Sequence, residues 1–153
     1  RHGEQPPVVL VIAGSGTLND ELQQLAKDLQ IESSVHFLGH RSDAIEFAAA
    51  IDINVLPSIH SETLGYSLIE AMFAGRPSVV SDVGGMKELV WKSGGGKVVK
   101  AHDAEALADA LSCYLSNPAQ MKLEGRKAQS YALAHLTADK MAAATLEAYV
   151  KLV

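Results

Sequence analysis

Short apolar runs alternate with amphipathic stretches along this chain, and that alternation narrows the choice of fold more than any other feature. Residues 8–13 are a continuous apolar run, as expected of a strand covered on both faces of a parallel sheet. Gly14-Ser15-Gly16 turns the chain, and residues 19–29 then set Leu22, Leu25, Ala26 and Leu29 on one helical face. Further strands are predicted at residues 35–38 (ending at Gly39), 53–56, 78–81 and 97–99. Ser42 or Asp43 can cap a helix running through Ala50, and further helices are expected from Gly65 to Gly75 and over residues 85–90. From Asp103 onward the pattern is helical. Asp103 caps residues 104–116, Asn117-Pro118 breaks that helix and starts another to Leu133, and Thr137 opens a last helix to the end. Five strands alternating with helices at short spacing require an α/β fold, a Rossmann-like parallel sheet with helices on both faces. Ligands of such sheets bind beyond the carboxyl ends of the strands. The loops after Ala13, Leu38, Pro57 and Ser81 all open there. No repeat, low-complexity segment or linker interrupts the pattern, so residues 1–153 read as one domain behind a polar lead-in at residues 1–7.

Composition excludes several classes. With 153 residues, 48% hydrophobic and 20% charged, the chain builds a real core and is not disordered. A net charge of −5 without a basic run argues against nucleic acid as a partner. No apolar run reaches membrane-spanning length. The single cysteine, Cys113, excludes an internal disulfide and fits a reducing, cytoplasmic compartment. Inside a helical stretch it reads as a small core or boundary residue.

The chemistry concentrates in residues 55–77, a strand, a polar loop and a short helix opening near Gly65. The first N–H groups of a helix have no intrahelical partner, and its dipole adds roughly half a positive charge there, so an anion fits. Two carboxylates, Glu62 and Glu70, bracket the loop and the first turns. At a rise of about 1.5 Å per residue, Glu70 lies about 6 Å beyond Tyr66 along the axis, a sensible distance for a ribose attached to a bound phosphate. Read plainly, Glu62 is a solvated loop residue and Glu70 a helix residue facing water. Against that, Leu68, Ile69, Ala71, Met72 and Phe73 surround Glu70, and a carboxylate buried there is costly unless hydrogen-bonded. Gly75 and Pro77 end the helix.

Other motifs have competing readings. Gly14-Ser15-Gly16 lacks the third glycine of a dinucleotide fingerprint, and the second strand lacks the acidic residue that would hold a ribose, which argues against NAD. Gly65-Tyr66-Ser67-Leu68-Ile69 approaches a nucleophile elbow but lacks its last glycine, and the loop before it is too long for that sharp turn. The six histidines show no metal-ligand spacing, and Asp52-Ile53-Asn54 is the nearest approach to an Asp-x-Asp pair. No metal site and no cofactor are expected. Gly39-His40-Arg41 and Gly84-Gly85 follow strands at the binding edge, where glycines allow close backbone approach or unusual dihedrals. Glu88 stays open between cleft and solvent. Gly94-Gly95-Gly96 reads as a flexible turn remote from the chemistry. The apolar spacing of Met141, Leu146, Tyr149 and Val150 reads as core packing.

Glu62 and Glu70 form an E-x7-E pair, followed by Ala71-Met72, Gly75-Arg76-Pro77, the β run Ser78-Val79-Val80-Ser81 and the stretch Asp82-Val83-Gly84-Gly85-Met86-Lys87-Glu88-Leu89. This ordered series resembles the donor-binding half of the group 1 (family 4) retaining glycosyltransferases of the two-domain GT-B fold. The resemblance implies transfer of a sugar, of the hexosyltransferase type, from a nucleotide-diphosphate-sugar donor to an unknown acceptor hydroxyl. It would place Glu62 at the donor sugar, Glu70 at the ribose hydroxyls, and Thr63, Leu64, Gly65, Tyr66 and Ser67 at the diphosphate. Gly39 would lie beside the base, and Gly84 and Gly85 would line the cleft. Leu64 replaces the family's usual aromatic residue and Thr63 its usual Pro or Gly, both compatible with the helix-start chemistry. The helix start would take the diphosphate charge without a metal.

The Arg and Lys that neutralise the diphosphate in the family belong to an earlier strand and loop, and Arg41, Arg76 and Lys87 do not match their places. The resemblance therefore implies a donor domain lacking its first strand and helix, with the N-terminal acceptor domain also absent, and an isolated fragment that is inactive. It further implies that the last helix crosses toward that other domain, leaving part of its apolar face uncovered. Peripheral membrane association of the intact protein stays open. Two other readings share the pattern: a non-catalytic nucleotide-binding or interaction module, and a sugar-nucleotide epimerase.

Overall fold

The computed structural model describes residues 8–60 and 62–151, which divide after Asp43 into two units. The lead-in of residues 1–7 lies outside the described residues. All five predicted strands form, but in two separate parallel sheets.

The first unit holds β1 (Leu10–Ala13), α1 (Asn19–Asp28), a 3-10 turn (Glu32–Ser34) and β2 (Val35–Gly39). β1 and β2 pair in parallel from Leu10 opposite Val35, and the Gly14 N–H donates to the Gly39 carbonyl at 2.7 Å. Asp20 and Glu21 in the first turn of α1 and Lys27 in the last suit the helix dipole. The expectation that β1 is covered on both faces is not met: Val8, Val9 and Leu10 are exposed, as are Leu22 and Leu25 of α1 and Leu29 just after it, and Ala26 alone is buried in that helix. Two strands and one helix have too few layers to enclose those side chains. The Asp43 carboxylate, expected as a cap, is gripped by the Arg41 guanidinium, which holds its carboxyl below the usual carboxylate range.

The second unit holds α2 (Ala44–Ala50), β3 (Asn54–Leu56), α3 (Tyr66–Phe73), β4 (Ser78–Ser81), α4 (Met86–Ser93), β5 (Gly96–Val99), α5 (Ala104–Ser116), α6 (Pro118–His135) and α7 (Ala138–Val150). Its sheet runs β3-β4-β5, parallel throughout, with Val55 opposite Val79 and Val79 opposite Lys97. β4 is central and buried along its whole length. Successive side chains of a strand point to opposite faces, and the core splits accordingly. Val80 packs with Leu68 and Met72 of α3, Met86, Leu89 and Val90 of α4, and Ala128 and Ala132 of α6. Val79 packs on the other face with Ala110 and Tyr114 of α5. Helices therefore cover both faces of this sheet.

Two polar clusters in the interior are partnered, whereas the buried Arg76 Nε has no hydrogen-bond partner among the described residues. Asn54 Nδ2 donates to Ser78 Oγ at 3.2 Å across β3 and β4. The buried Glu124 carboxylate accepts from the Tyr114 hydroxyl and, at 2.6 Å, from Gln120 Nε2, while Lys97 Nζ stands 4.9 Å from the Tyr114 ring centre. The caps fall where the sequence puts them: Asp103, Asn117 and Thr137 side chains accept from Ala106, Gln120 and Lys140 N–H groups. α3 ends in a Schellman motif, with the Gly75 N–H on the Met72 carbonyl, the Arg76 N–H on the Ala71 carbonyl and Gly75 at φ +71°.

Three expectations are corrected here. Gly94-Gly95-Gly96 is no loose turn. A side chain on Gly95 would begin 2.5 Å from Ala128 Cβ, and one on Gly96 would begin 2.1 Å from the Ser78 carbonyl oxygen. These glycines are what let α6 and β4 close on β5. Cys113 is exposed rather than in the core or at its boundary, because the side of α5 facing the sheet is the one bearing Ala110 and Tyr114. α7 buries no residue: Met141, Leu146, Tyr149 and Val150 are all exposed. Its apolar spacing is not core packing, and its apolar face is uncovered within the described chain.

Candidate functional site

The loop from β3 to α3 is built on the carboxyl end of the three-stranded sheet. β3 delivers Pro57 and Ser58. Gly65 then turns the chain into α3 at φ +67°, ψ 90°, a conformation natural to glycine. Met86 packs beneath, its Sδ 3.1 Å from where a Gly65 side chain would begin. No side chain caps α3. The Leu68 and Ile69 N–H groups bond the Gly65 carbonyl, while those of Tyr66 and Ser67 meet no backbone acceptor among the described residues. Leu64, Tyr66 and Ser67 are exposed, and Gly65 is buried. Donors without partners at an open helix start suit an anion.

Glu62 is half-buried, and Ser58 Oγ donates to its Oε2 at 3.0 Å. Its backbone is held from the β4–α4 turn. Gly85 N–H donates to the Glu62 carbonyl at 3.1 Å. Gly84, at φ +58°, lies so close that a side chain there would begin 1.7 Å from the same oxygen, and one on Gly85 would begin 2.2 Å from the Thr63 carbonyl oxygen. The close approach expected of Gly84 and Gly85 is thus made to the chain itself. The pair acts as a bed for Glu62 and Thr63.

Glu70 sits half-buried one turn into α3. Its carboxylate has no hydrogen bond or ion pair among the described residues. The structure thus brings Glu62, Thr63, Leu64, Gly65, Tyr66, Ser67, Glu70, Gly84 and Gly85 together at one end of one sheet. Gly39 ends β2 in the other unit, at φ +65°. Glu88 is exposed and pairs with Lys92 at 3.2 Å, on the solvent side of its two readings. Arg76 reaches the carbonyl of Ala49 at the end of α2 and lies 4.0 Å from Asp52, a structural role. Among the described residues, no group of three or more His, Cys, Asp or Glu is placed to hold a metal ion, and no helix is long and apolar enough to cross a membrane.

Residues 1–132 match the profile of a family described as glycosyl transferases group 1. The chain belongs to this glycosyltransferase family. Glycogen synthase of Mycobacterium tuberculosis is 31% identical over 147 residues, which are 95% of this chain and 35% of that protein. Phosphatidyl-myo-inositol mannosyltransferase of Mycobacterium leprae is 38% identical over 112 residues, 72% of this chain and 29% of that protein. This group 1 chain spans about a third of the length of these curated relatives. Among solved structures, Anabaena HepE in complex with UDP is similar with a TM-score of 0.83 and 28% identity, over 94% of this chain and 42% of that one. The parallel sheets flanked by helices are those of GT-B glycosyltransferases, which agrees with the fold expected from the sequence.

Two supports of this candidate site escaped the sequence reading. Ser58 is four residues before Glu62, a spacing that hinted at contact only once the loop path was known. Met86 lies under Gly65, and nothing in its own neighbourhood signals that.

Proposed function

We propose that this chain binds the nucleotide-sugar donor of a retaining, metal-independent glycosyltransferase that passes a hexose to an acceptor hydroxyl. The Tyr66 and Ser67 N–H groups, with the backbone of Thr63 to Gly65, would receive the diphosphate. Glu70 would accept hydrogen bonds from the ribose hydroxyls, and Glu62 would meet the donor sugar. The observation that carries this reading is a half-buried Glu70 without a partner, one turn from an uncapped helix start. Such a carboxylate is costly in isolation and suits a polyhydroxyl ligand.

Charge that develops on the leaving diphosphate would be stabilised by the aligned N–H groups and the dipole of α3. The nearest approach to a cation-binding acidic pair, Asp52-Ile53-Asn54, supports metal independence, since Asn54 is buried and bonded to Ser78. The synthase and mannosyltransferase names among the relatives favour a hexose. The UDP complex of HepE makes UDP the first nucleotide to test. A cytoplasmic location belongs to this reading and rests on the lone, exposed Cys113 thiol.

Glu70→Gln tests it. The substitution keeps shape and removes the charge that ribose hydroxyls donate to. It should weaken nucleotide binding by about 1–3 kcal/mol, or about 5- to 150-fold, in a calorimetric titration. Unchanged affinity would remove Glu70 from the ribose.

A further inference from the structure

Glu62 is fixed at more points than a loop residue requires. Its carbonyl accepts from Gly85 N–H at 3.1 Å. Gly84, lacking a side chain, abuts the same carbonyl. The carboxylate is then held separately, by Ser58 Oγ on Oε2 at 3.0 Å. Ser58 is the second residue beyond β3 (Asn54–Leu56), so its donor stands at the start of the loop, close to the carboxyl end of the sheet. The other oxygen, Oε1, lies 3.6 Å from where a Gly65 side chain would begin, directly over the turn into α3.

We infer that Ser58 is a positioning residue for the donor sugar: its hydroxyl occupies one oxygen of Glu62 and turns the other toward the open start of α3. A glutamate side chain has several free torsions and loses up to about 2 kcal/mol of rotamer entropy when fixed. One hydrogen bond from a residue two positions beyond the strand end restrains it before the ligand arrives, which is how a supporting group raises the yield of a contact it does not make. The inference rests on the proposed role of Glu62 at the sugar. It adds that recognition of the sugar, as distinct from the nucleotide, depends on a residue that touches neither.

The test measures binding of UDP-glucose, GDP-mannose and ADP-glucose, each against its bare diphosphate, to the full-length protein. The quantity read is the ratio of sugar-nucleotide to diphosphate affinity for the pair that binds. Ser58→Ala should lower that ratio about tenfold, the effect of losing one hydrogen bond to a charged group. Ser58→Thr, which keeps the hydroxyl, should restore it. On a Glu62→Gln background Ser58→Ala should change the ratio by less than about twofold, since the two act as a unit. If Ser58→Ala weakens sugar nucleotide and diphosphate equally, the hydroxyl merely braces the loop and the inference fails. If Glu62→Gln lowers the ratio and Ser58→Ala does not, the inference fails while the role of Glu62 stands. If Glu62→Gln leaves the ratio intact, or no nucleotide sugar binds, the proposed function itself fails and takes the inference with it.

Discussion

Gly84→Ala separates a steric role from a conformational one at the centre of this site. Two costs meet there. Gly84 has φ +58°, and an L-residue in that region costs roughly 1–2 kcal/mol. The new Cβ would also stand 1.7 Å from the Glu62 carbonyl oxygen, 2.7 Å from its carbon and 2.9 Å from its nitrogen. All three are backbone atoms, so no rotamer change relieves the contact, and the loop must retreat by more than about 1 Å. Overpacking of this kind costs about 1–3 kcal/mol. The total of about 2–5 kcal/mol corresponds to a melting temperature lower by about 5–15 °C for a chain of this size. Gly94→Ala is the control. It has a similar φ of +61°, but its nearest contact is the flexible Lys127 side chain at 3.6 Å. It should cost only the conformational part, roughly 1–2 kcal/mol. Thermal unfolding followed by circular dichroism reads both, and donor binding read in parallel should fall further in Gly84→Ala, because Glu62 moves with the loop. Equal destabilisation by the two variants would refute the idea that Gly84 is the bed of Glu62.

Two predictions concern the core. Leu68, 1% exposed between α3, the sheet and α6, should cost about 2–5 kcal/mol as Leu68→Ala, measured by urea unfolding, and a loss below about 1 kcal/mol would contradict its place in the core. Burial and the Glu124 carboxylate push ionisation of the Tyr114 hydroxyl far above its ordinary value. Below pH about 10 both folded and unfolded states keep the proton and this group has no pH dependence; above it only the unfolded state loses the proton, so stability falls by about 1.4 kcal/mol per pH unit. Urea midpoints from pH 8 to 11 should show that slope in the native protein and less of it in Tyr114→Phe, whereas identical profiles would mean that Tyr114 titrates normally.

Much of this structure was legible because its signals are local. Apolar runs gave all five strands, and Asp103, Asn117 and Thr137 cap the helices they were expected to cap. The Glu62 and Glu70 pair stood out because a carboxylate amid Leu68, Ala71 and Met72 needs a reason. What stayed hidden depends on partners distant in sequence. A strand's residues do not record which strand it pairs with, so the division into sheets β1-β2 and β3-β4-β5 was not readable. The run Gly94 to Gly96 looked loose because its need for small size lies in Ala128 and Ser78. The apolar spacing of α7 shows a face, not what covers it. Likewise Gly84 and Gly85 announced a close approach without naming Glu62 and Thr63 as the atoms approached.

The central claim is that the start of α3, with Glu70, receives a nucleotide diphosphate. Its most direct test is calorimetric titration of the full-length protein with UDP, GDP and ADP in the presence of EDTA. One nucleotide should bind with one-to-one stoichiometry, and added magnesium should leave its affinity within about twofold, since the helix start carries the charge. A folded protein that binds none of the three, or binds one only when the metal is restored, would contradict the claim.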